Sequence, residues 1–193
     1  MKPNKARNLL KPLYYKVDRD METISNVCEK GCFYCCYQPI ELLKIEKVIL
    51  ADFIKTKLEN ETKDIVKENV IKWLDYFDEN TSNDEPLSDQ EAFYDFRYRA
   101  ENIPFPCPLL INGECSVYKA RPLTCRVHFV NDSKKLCEKD KLRDGAPTSF
   151  NYRMRVVEEL KTNMELEITP LAYALAEILN INRTMKKIRK STL

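Results

Sequence analysis

Eight cysteines in two separate groups constrain this chain more than any other feature of its sequence. Seventy residues without a cysteine separate the groups, which are Cys28, Cys32, Cys35 and Cys36, then Cys107, Cys115, Cys125 and Cys137. Thiols two to four residues apart can turn back on one ion, because a tight turn brings both sulfurs within metal–thiolate bonding distance. The pattern therefore predicts a metal site.

A disulfide framework is the main alternative, since the number of cysteines is even. The first ten residues are basic, but they lack the apolar segment and the small-residue cleavage site of an export signal. We therefore expect a cytoplasmic chain, in which reduced thiols bind metal or take part in catalysis. Cys35 and Cys36 also cannot readily bond to each other, because a bridge between neighbours strains the peptide.

Length and charge set further limits on the chain. Its 193 residues suit a single domain, 1–193, whose core is large enough to form without help from a metal. No apolar run approaches the roughly 18 residues of a membrane span. Basic residues cluster in 1–17 and 181–193, and solvated or frayed ends are the expected explanation. Nucleic-acid binding is accordingly not expected, whereas a protein partner is compatible with these surfaces.

Apolar spacing predicts a mainly α fold of four to five helices. The stripe of the first helix begins after Pro39 and continues to about Leu58, and the second helix buries a stripe over 66–77. A capping-box pattern predicts a third, shorter helix over 88–96. Two further helices begin near Tyr152 and at Thr169–Pro170, so that about 152–190 forms a helical C-terminal part.

The segment from about Asn102 to Pro147 lacks the helical period and is rich in proline and cysteine. This composition predicts loops that are held by metal ligation. The cysteine-cluster region then spans about 28–137, and metal binding replaces secondary structure in its second half.

The neighbours of the first cysteine group suggest how it would bind. Gly31 permits the turn that brings Cys28 towards Cys32, and the helix predicted from Pro39 would direct its positive N-terminal end at the thiolates. Cys36 has two interpretations, because adjacent side chains diverge. Either one of the pair Cys35 and Cys36 bridges towards a second centre, or one is a buried, inert thiol.

The second group has its own local signals. Cys107 lies in a stiff, proline-rich apolar segment, and Cys115 follows the turn signal Asn112–Gly113. Arg121 and Arg126 flank Cys125 and would offset the charge of a thiolate-rich site. His128 is the only histidine, and a lone histidine is more often structural, so it is not included among the ligands.

These motifs resemble the YkgJ-type cysteine-cluster proteins, a family described as a zinc- or iron-chelating domain of the CxxCxxCC kind. The resemblance covers about 28–128 and rests on Cys32-x2-Cys35-Cys36, Cys107-Pro-Leu-Leu110, Cys115-Ser-Val-Tyr118 and Arg121-Pro-Leu-Thr-Cys125-Arg126. The spacing Cys28-x3-Cys32 departs from the family name by one residue. Cys137 lies outside the pattern and is not among the expected ligands.

The expected function is metal binding by a centre that is structural or electron-carrying. The expected ligands are the seven thiols of Cys28, Cys32, Cys35, Cys36, Cys107, Cys115 and Cys125. Thiolate ligands suit zinc, iron and iron–sulfur clusters alike, and the cysteines suffice for one 4Fe-4S cluster with spare thiols or for two separate sites. A zinc-stapled module that binds a protein partner is a further interpretation.

The family grouping also includes flagellin lysine N-methylases, so the resemblance implies a second function. This would be an iron–sulfur-dependent protein lysine N-methyltransferase that uses S-adenosylmethionine. The chain has only three glycines and no glycine-rich nucleotide loop, which argues against the usual methyltransferase fold. No constellation typical of ordinary hydrolases is present. Whether the chain is an enzyme, and which residues would be catalytic, stays open at this point.

Overall fold

The computed structural model describes residues 2–29, 31–80, 104–162 and 166–182. These residues form a mainly helical structure with seven α-helices. The helices are α1 Pro3–Thr23, α2 Lys47–Lys57, α3 Asn60–Asn80, α4 Leu123–Val127, α5 Lys134–Lys139, α6 Pro147–Lys161 and α7 Leu171–Ile178. The prediction of four to five helices was too low, because it missed α1 and the two short helices α4 and α5.

Two small antiparallel pairs of strands accompany the helices in the described ranges. Strand β1 (Glu41–Leu43) pairs with β4 (Ile168–Pro170), and Leu42 lies opposite Thr169. Strand β2 (Leu110–Ile111) pairs with β3 (Glu114–Cys115). The same ranges also contain the short 3-10 helices Tyr34–Tyr37, Lys44–Glu46 and Tyr118–Ala120.

Helix α1 corrects the expectation that the basic N-terminal segment is a frayed end. Pro3 occupies its first turn, where a missing backbone N–H costs nothing. The helix buries one face, made of Ala6, Leu10, Leu13, Tyr14 and Val17. Arg7 also donates two hydrogen bonds to the Asp52 carboxylate of α2, one of them at 2.8 Å from Nη2. The bases of this segment therefore lie on the outside of a packed helix.

The helix predicted from Pro39 begins eight residues later, at Lys47. Residues 41–43 instead form β1, and the 3-10 turn Lys44–Glu46 leads from the strand into α2. Pairing with β4, more than 120 residues away, overrides the local helical spacing. The positive end of α2 is consequently separated in sequence from the first cysteine group by the strand and the turn.

The later helices follow the predicted stripes with shifted starts. Helix α3 buries Val66, Val70, Trp73 and Phe77, as the sequence predicted. Helix α6 begins at Pro147, five residues before the predicted start, and α7 begins at Leu171 with Pro170 as its N-cap. The predicted helix over 88–96 and the part of the last predicted helix beyond 182 lie outside the described residues. Within the described residues the last helix is shorter than predicted, because it ends at Ile178 and Asn180 has a φ of 53°.

The segment expected to consist of loops has more regular structure than predicted. It contains the hairpin β2–β3 and helices α4 and α5, each only five or six residues long. Elements this short carry no visible apolar period, which is why the sequence did not indicate them. The segment is thus a series of short elements, and each cysteine of the second group except Cys107 lies on one of them.

Two apolar clusters form the core, and β1 lies between them. One cluster contains Leu42 with side chains of α2, α3 and α7, and the other contains Leu43 with side chains of α1, α4 and α6. Successive side chains of a strand point to opposite faces, so two adjacent leucines reach two different clusters. Cys36, Cys107 and Cys115 belong to or pack against the first cluster, whereas Cys125 lies on α4, whose Leu123 and Val127 belong to the second.

Candidate metal centre

All seven predicted thiol ligands line one cavity of about 830 Å³. They are Cys28, Cys32, Cys35, Cys36, Cys107, Cys115 and Cys125. The walls also include Leu171 from one apolar cluster and Met21 and Ile24, which pack against the other. All eight cysteines are free thiols. The structure therefore brings the first group and three cysteines of the second group to a single place, while Cys137 is not part of the cavity lining.

The thiols surround the cavity without closing on one point. Tetrahedral zinc with bonds of about 2.3 Å holds its four sulfurs about 3.8 Å apart. Within the described ranges, no three His, Cys, Asp or Glu side chains are gathered closely enough to hold a metal ion. Binding of a single ion therefore requires these side chains to draw together.

Cys107 and Cys115 are positioned by backbone hydrogen bonds. The amide of Cys107 donates to the carbonyl of Cys36 at 2.7 Å, which joins the two cysteine groups directly. Cys115 pairs with Leu110 across the hairpin, and Leu110 in turn donates to the Cys107 carbonyl at 2.9 Å. The turn between the strands is Asn112–Gly113, with φ of 51° and 79°, as the turn signal predicted. Two thiols thus share one compact hairpin.

Burial raises the pKa of the Cys107 thiol to about 12, while the amides of Leu109 and Leu110 lower it. Burial likewise raises the pKa of Cys115, and the amide of Val117 lowers it. These backbone amides therefore favour the charged form of both thiols. Such donors stabilise a thiolate once a metal has displaced the proton.

Cys125 lies on α4, and a buried carboxylate holds the start of that helix. Glu46 is 2% exposed and accepts a hydrogen bond from the amide of Leu123 at 2.7 Å. It also accepts from the amide of Leu43 at 2.9 Å and from the Tyr14 hydroxyl. One side chain thus connects α1, β1 and α4. The sequence analysis missed Glu46, because nothing in its neighbourhood distinguishes it from a surface acid.

The two arginines beside Cys125 have different roles. Arg126 is 5% exposed, donates to Asp18 at 2.5 Å and to the carbonyls of Lys119 and Arg121, and stacks over the ring of Tyr14. It therefore anchors α4 to α1. The acid that pairs with it, Asp18, lies on α1.

Arg121 is the arginine whose charge reaches the thiols. It lowers the pKa values of Cys115 and Cys125, although burial keeps both raised. Its Nε is buried and has no hydrogen-bond acceptor within the described ranges. Its guanidinium stacks over Tyr118 at 3.9 Å, and its nearest carboxylate oxygen, on Asp18, is 3.7 Å away. A buried donor beside a cavity of thiols suits a site that gains negative charge on metal binding.

Cys35 is the thiol whose charge acts on most of the other cysteines. Its own pKa is raised, first by a hydrogen bond with the Cys36 thiol and then by burial. After the effect of burial, the charge of Cys35 contributes to the raised pKa of each of five thiols, namely Cys28, Cys107, Cys115, Cys125 and Cys137. Cys35 therefore lies within electrostatic reach of both cysteine groups.

The remaining members of the first group lie nearer the surface. Cys28 is exposed, and its Sγ accepts a hydrogen bond from the amide of Val130 at 3.5 Å. Cys32 is partly buried, and its amide donates to the carbonyl of Glu29 at 3.1 Å. His128 also borders the cavity, although the sequence analysis left it out of the ligand set.

The donor set fits zinc or iron. Thiolates are soft ligands that both metals accept, and the site supplies backbone amides and one arginine to offset their charge. No oxygen-rich pattern of the kind that magnesium or calcium requires is found around the described thiols.

None of the described helices is long and apolar enough to cross a membrane.

Comparison with known proteins agrees with this chemistry. A family model described as "CxxCxxCC: Putative zinc- or iron-chelating domain" matches residues 27–144. The matched range extends beyond the motifs noted in the sequence and contains all eight cysteines, including Cys137. No curated protein and no solved structure matches the chain.

Proposed function

We propose that this chain, which belongs to the CxxCxxCC zinc- or iron-chelating family, binds zinc or iron through thiolates of both cysteine groups. The ligands we propose are among the seven cysteines that line the cavity, with Cys35, Cys107, Cys115 and Cys125 at its buried side. The bound metal is structural or electron-carrying. When bound, zinc would crosslink the chain, whereas an iron centre would also exchange electrons.

One observation carries this proposal, namely that seven thiols far apart in the sequence line a single cavity. Most of these thiols have raised pKa values, which reflect the cost of charging them where they lie. A metal removes that cost, because it binds the deprotonated sulfur directly. Amide donors at Cys107 and Cys115, and the charge of Arg121, support the same state.

Metal analysis combined with absorption spectroscopy tests the proposal. Protein purified without oxygen should contain zinc or iron in near-stoichiometric amount. A brown protein with broad visible absorption identifies an iron–sulfur centre, and a colourless protein with zinc identifies a zinc centre. Protein that stays metal-free after anaerobic reconstitution with either metal would disprove the function.

Ligand variants show which thiols matter. Cys107→Ser and Cys125→Ser should each lower the metal content severely, because each removes a buried thiolate. Thr124→Ser is the matched control, since it keeps a hydroxyl beside Cys125 and should retain full metal content. Full metal content in Cys107→Ser would show that the second cysteine group is not part of the centre.

The S-adenosylmethionine-dependent lysine methyltransferase remains a second candidate because of the size of the cavity. About 830 Å³ falls in the range of small-molecule sites and exceeds what one ion requires. Calorimetry with metal-loaded protein tests this candidate directly. Absence of S-adenosylmethionine binding would eliminate it and would leave the metal-binding proposal intact.

A further inference from the structure

We propose that one part of the cavity wall binds a small oxyanion that keeps a proton at neutral pH, such as hydrogen phosphate or hydrogen carbonate. Asp18 and Arg121 would form this site, and both border the cavity. The inference goes beyond the proposed function, because it assigns to the cavity a second ligand whose binding needs no metal. Two buried polar atoms without a hydrogen-bond partner carry it.

The two atoms are a donor and an acceptor on neighbouring side chains. Nε of Arg121 and Oδ1 of Asp18 are both buried, and neither has a hydrogen-bond partner within the described ranges. Oδ1 lies 3.7 Å from Nη2 of Arg121, which is beyond hydrogen-bonding distance. A buried polar atom without a partner is costly, so each of the two atoms calls for a group of the opposite kind.

The contacts of Arg121 hold its side chain in place without using this donor. The guanidinium stacks over the ring of Tyr118 at 3.9 Å. A stacked ring contacts the face of the guanidinium, whereas the N–H groups point outwards in its plane. The side chain is only 18% exposed, so little of it meets water. Arg121 is therefore a positioned, mostly buried cation that can donate to an anion in the cavity.

A different arginine holds the carboxylate of Asp18. Its Oδ2 accepts a hydrogen bond from Nη1 of Arg126 at 2.5 Å, whereas its Oδ1 has no donor among the described residues. Arg126 also donates to the carbonyls of Lys119 and Arg121, which fixes its orientation. Two guanidiniums and one carboxylate carry a net positive charge, which favours an anion at this point of the wall. The Asp18 side chain is partly exposed, so a ligand can reach it from solvent.

Metal binding alone does not satisfy both atoms. Thiolates are hydrogen-bond acceptors, so those of a metal centre can accept from Nε of Arg121. They have no proton to donate to Oδ1 of Asp18. A water molecule can donate and accept, but only an anion also matches the charge of Arg121. An acceptor oxygen beside a donor O–H in one negatively charged group is the chemistry of a protonated oxyanion.

Asp18 should select among anions by their protonation state. Hydrogen phosphate can donate its remaining proton to Oδ1, whereas sulfate is fully deprotonated at neutral pH. Bound sulfate would place a negative oxygen against the carboxylate, and the two would repel each other. The site should therefore prefer phosphate to sulfate, although the two ions have nearly the same size and shape.

Calorimetry with the reduced, metal-free full chain tests this site. Sodium phosphate at neutral pH should show saturable binding of about one equivalent, and sodium sulfate should bind about tenfold more weakly or worse. Sodium hydrogen carbonate is a second probe of the same chemistry, and saturable binding of either protonated ion supports the proposal.

Two arginine variants locate the binding. Arg121→Met should weaken phosphate binding about tenfold or more, because it removes both the donor and the charge. Arg155→Met is the matched control, since it removes an exposed arginine that lies over Tyr152 and outside the cavity lining. This variant should keep the affinity of the unmodified chain.

Asp18→Asn tests the selectivity. The amide can donate to a deprotonated oxyanion, and its oxygen can still accept from Arg126, so the preference for phosphate should fall to about twofold or less. A gain in sulfate binding requires a folded chain, which separates this result from simple unfolding.

Three results would overturn the proposal. They are no binding of either protonated ion, undiminished phosphate binding in Arg121→Met, and equal affinities of the unmodified chain for phosphate and sulfate. The two buried atoms would then be assigned to a bound water molecule. Since these titrations contain no metal, such a failure leaves the proposed function standing. A chain that binds phosphate as expected but neither zinc nor iron would disprove the proposed function alone.

Discussion

Replacing Glu46 with glutamine should loosen the buried junction that holds the helix of Cys125. The carboxylate accepts three hydrogen bonds, from Tyr14, Leu43 and Leu123, and its two oxygens divide them. A glutamine amide has only one acceptor oxygen, so its NH2 group must face one of the two backbone amides. One buried N–H then loses its acceptor and meets another donor.

The magnitude of the loss follows from burial. Leaving a buried backbone donor unsatisfied costs about 1–3 kcal/mol, and loss of a charge-assisted bond adds to this cost. We expect Glu46→Gln to lower the free energy of unfolding by about 2–4 kcal/mol. Glu68→Gln makes the same chemical change at an exposed position of α3 and should stay within about 0.5 kcal/mol of the unmodified chain.

Urea denaturation of the reduced, metal-free chain measures the difference, and the midpoint should shift without a change in slope. Thiol labelling followed by mass spectrometry adds a local readout. In Glu46→Gln, Cys125 should label faster while Cys107 keeps its rate, because only α4 loses its anchor. Equal stability of Glu46→Gln and Glu68→Gln would refute the idea that this carboxylate supports the site.

The pH dependence of the same effect has a definite sign. Burial raises the pKa of Glu46 above its ordinary value, despite its three donors. The folded state therefore holds this proton more tightly than the unfolded state does. The stabilisation that this proton provides is fully present below the pKa of Glu46 in the unfolded chain. It is lost as the pH rises through the pKa of Glu46 in the folded chain. The stability difference between the unmodified chain and Glu46→Gln should accordingly shrink as the pH rises across that window.

Three further predictions concern the cavity wall and the metal. Gly113→Ala should lower the free energy of unfolding by about 1–2 kcal/mol, measured by urea denaturation, because φ is 79° at this turn. The cost comes from the backbone alone, since an added Cβ would make only ordinary van der Waals contact with Phe33. Arg121→Met should weaken zinc affinity about 10- to 100-fold in a chelator competition assay, with Arg121→Lys less affected; equal affinities would contradict its role as a charge partner. Removal of the metal should speed hydrogen exchange over 107–137 while Val66–Phe77 stays protected, and uniform loss of protection would show that the metal nucleates the whole fold.

The long amphipathic helix was the most predictable part of the fold. The stripe from Val66 to Phe77 repeats over several turns, and the structure buries its members. A periodic pattern of this length outweighs any single local exception. The gathering of seven thiols around one cavity was expected for a different reason, since a shared metal site would require thiols of both groups to lie together whatever the fold. Their role as ligands stays a prediction.

The elements that the sequence did not reveal depend on distant partners. Residues 41–43 fit a helical stripe, yet β4 draws them into a strand across more than 120 residues. Helix α1 was hidden because its bases suggested a free end, although its apolar face recurs at helical spacing. Arg126 was expected to serve the thiol next to it in the chain, and its contacts with Asp18 and Tyr14 became visible only in three dimensions.

The position of the thiols at the junction of two apolar clusters has a consequence for the molecule as a whole. Cys107 and Cys115 belong to the side formed by α3 and α7, whereas Cys125 lies on α4, which packs between α1 and α6. Each cluster can form through its own apolar contacts, so a metal is not needed to build either one. Because the thiols stand apart around the cavity, ligation must draw the two sides together. Metal binding is therefore expected to hold the two apolar clusters in one relative position. A change in that relative position should in turn change the metal affinity.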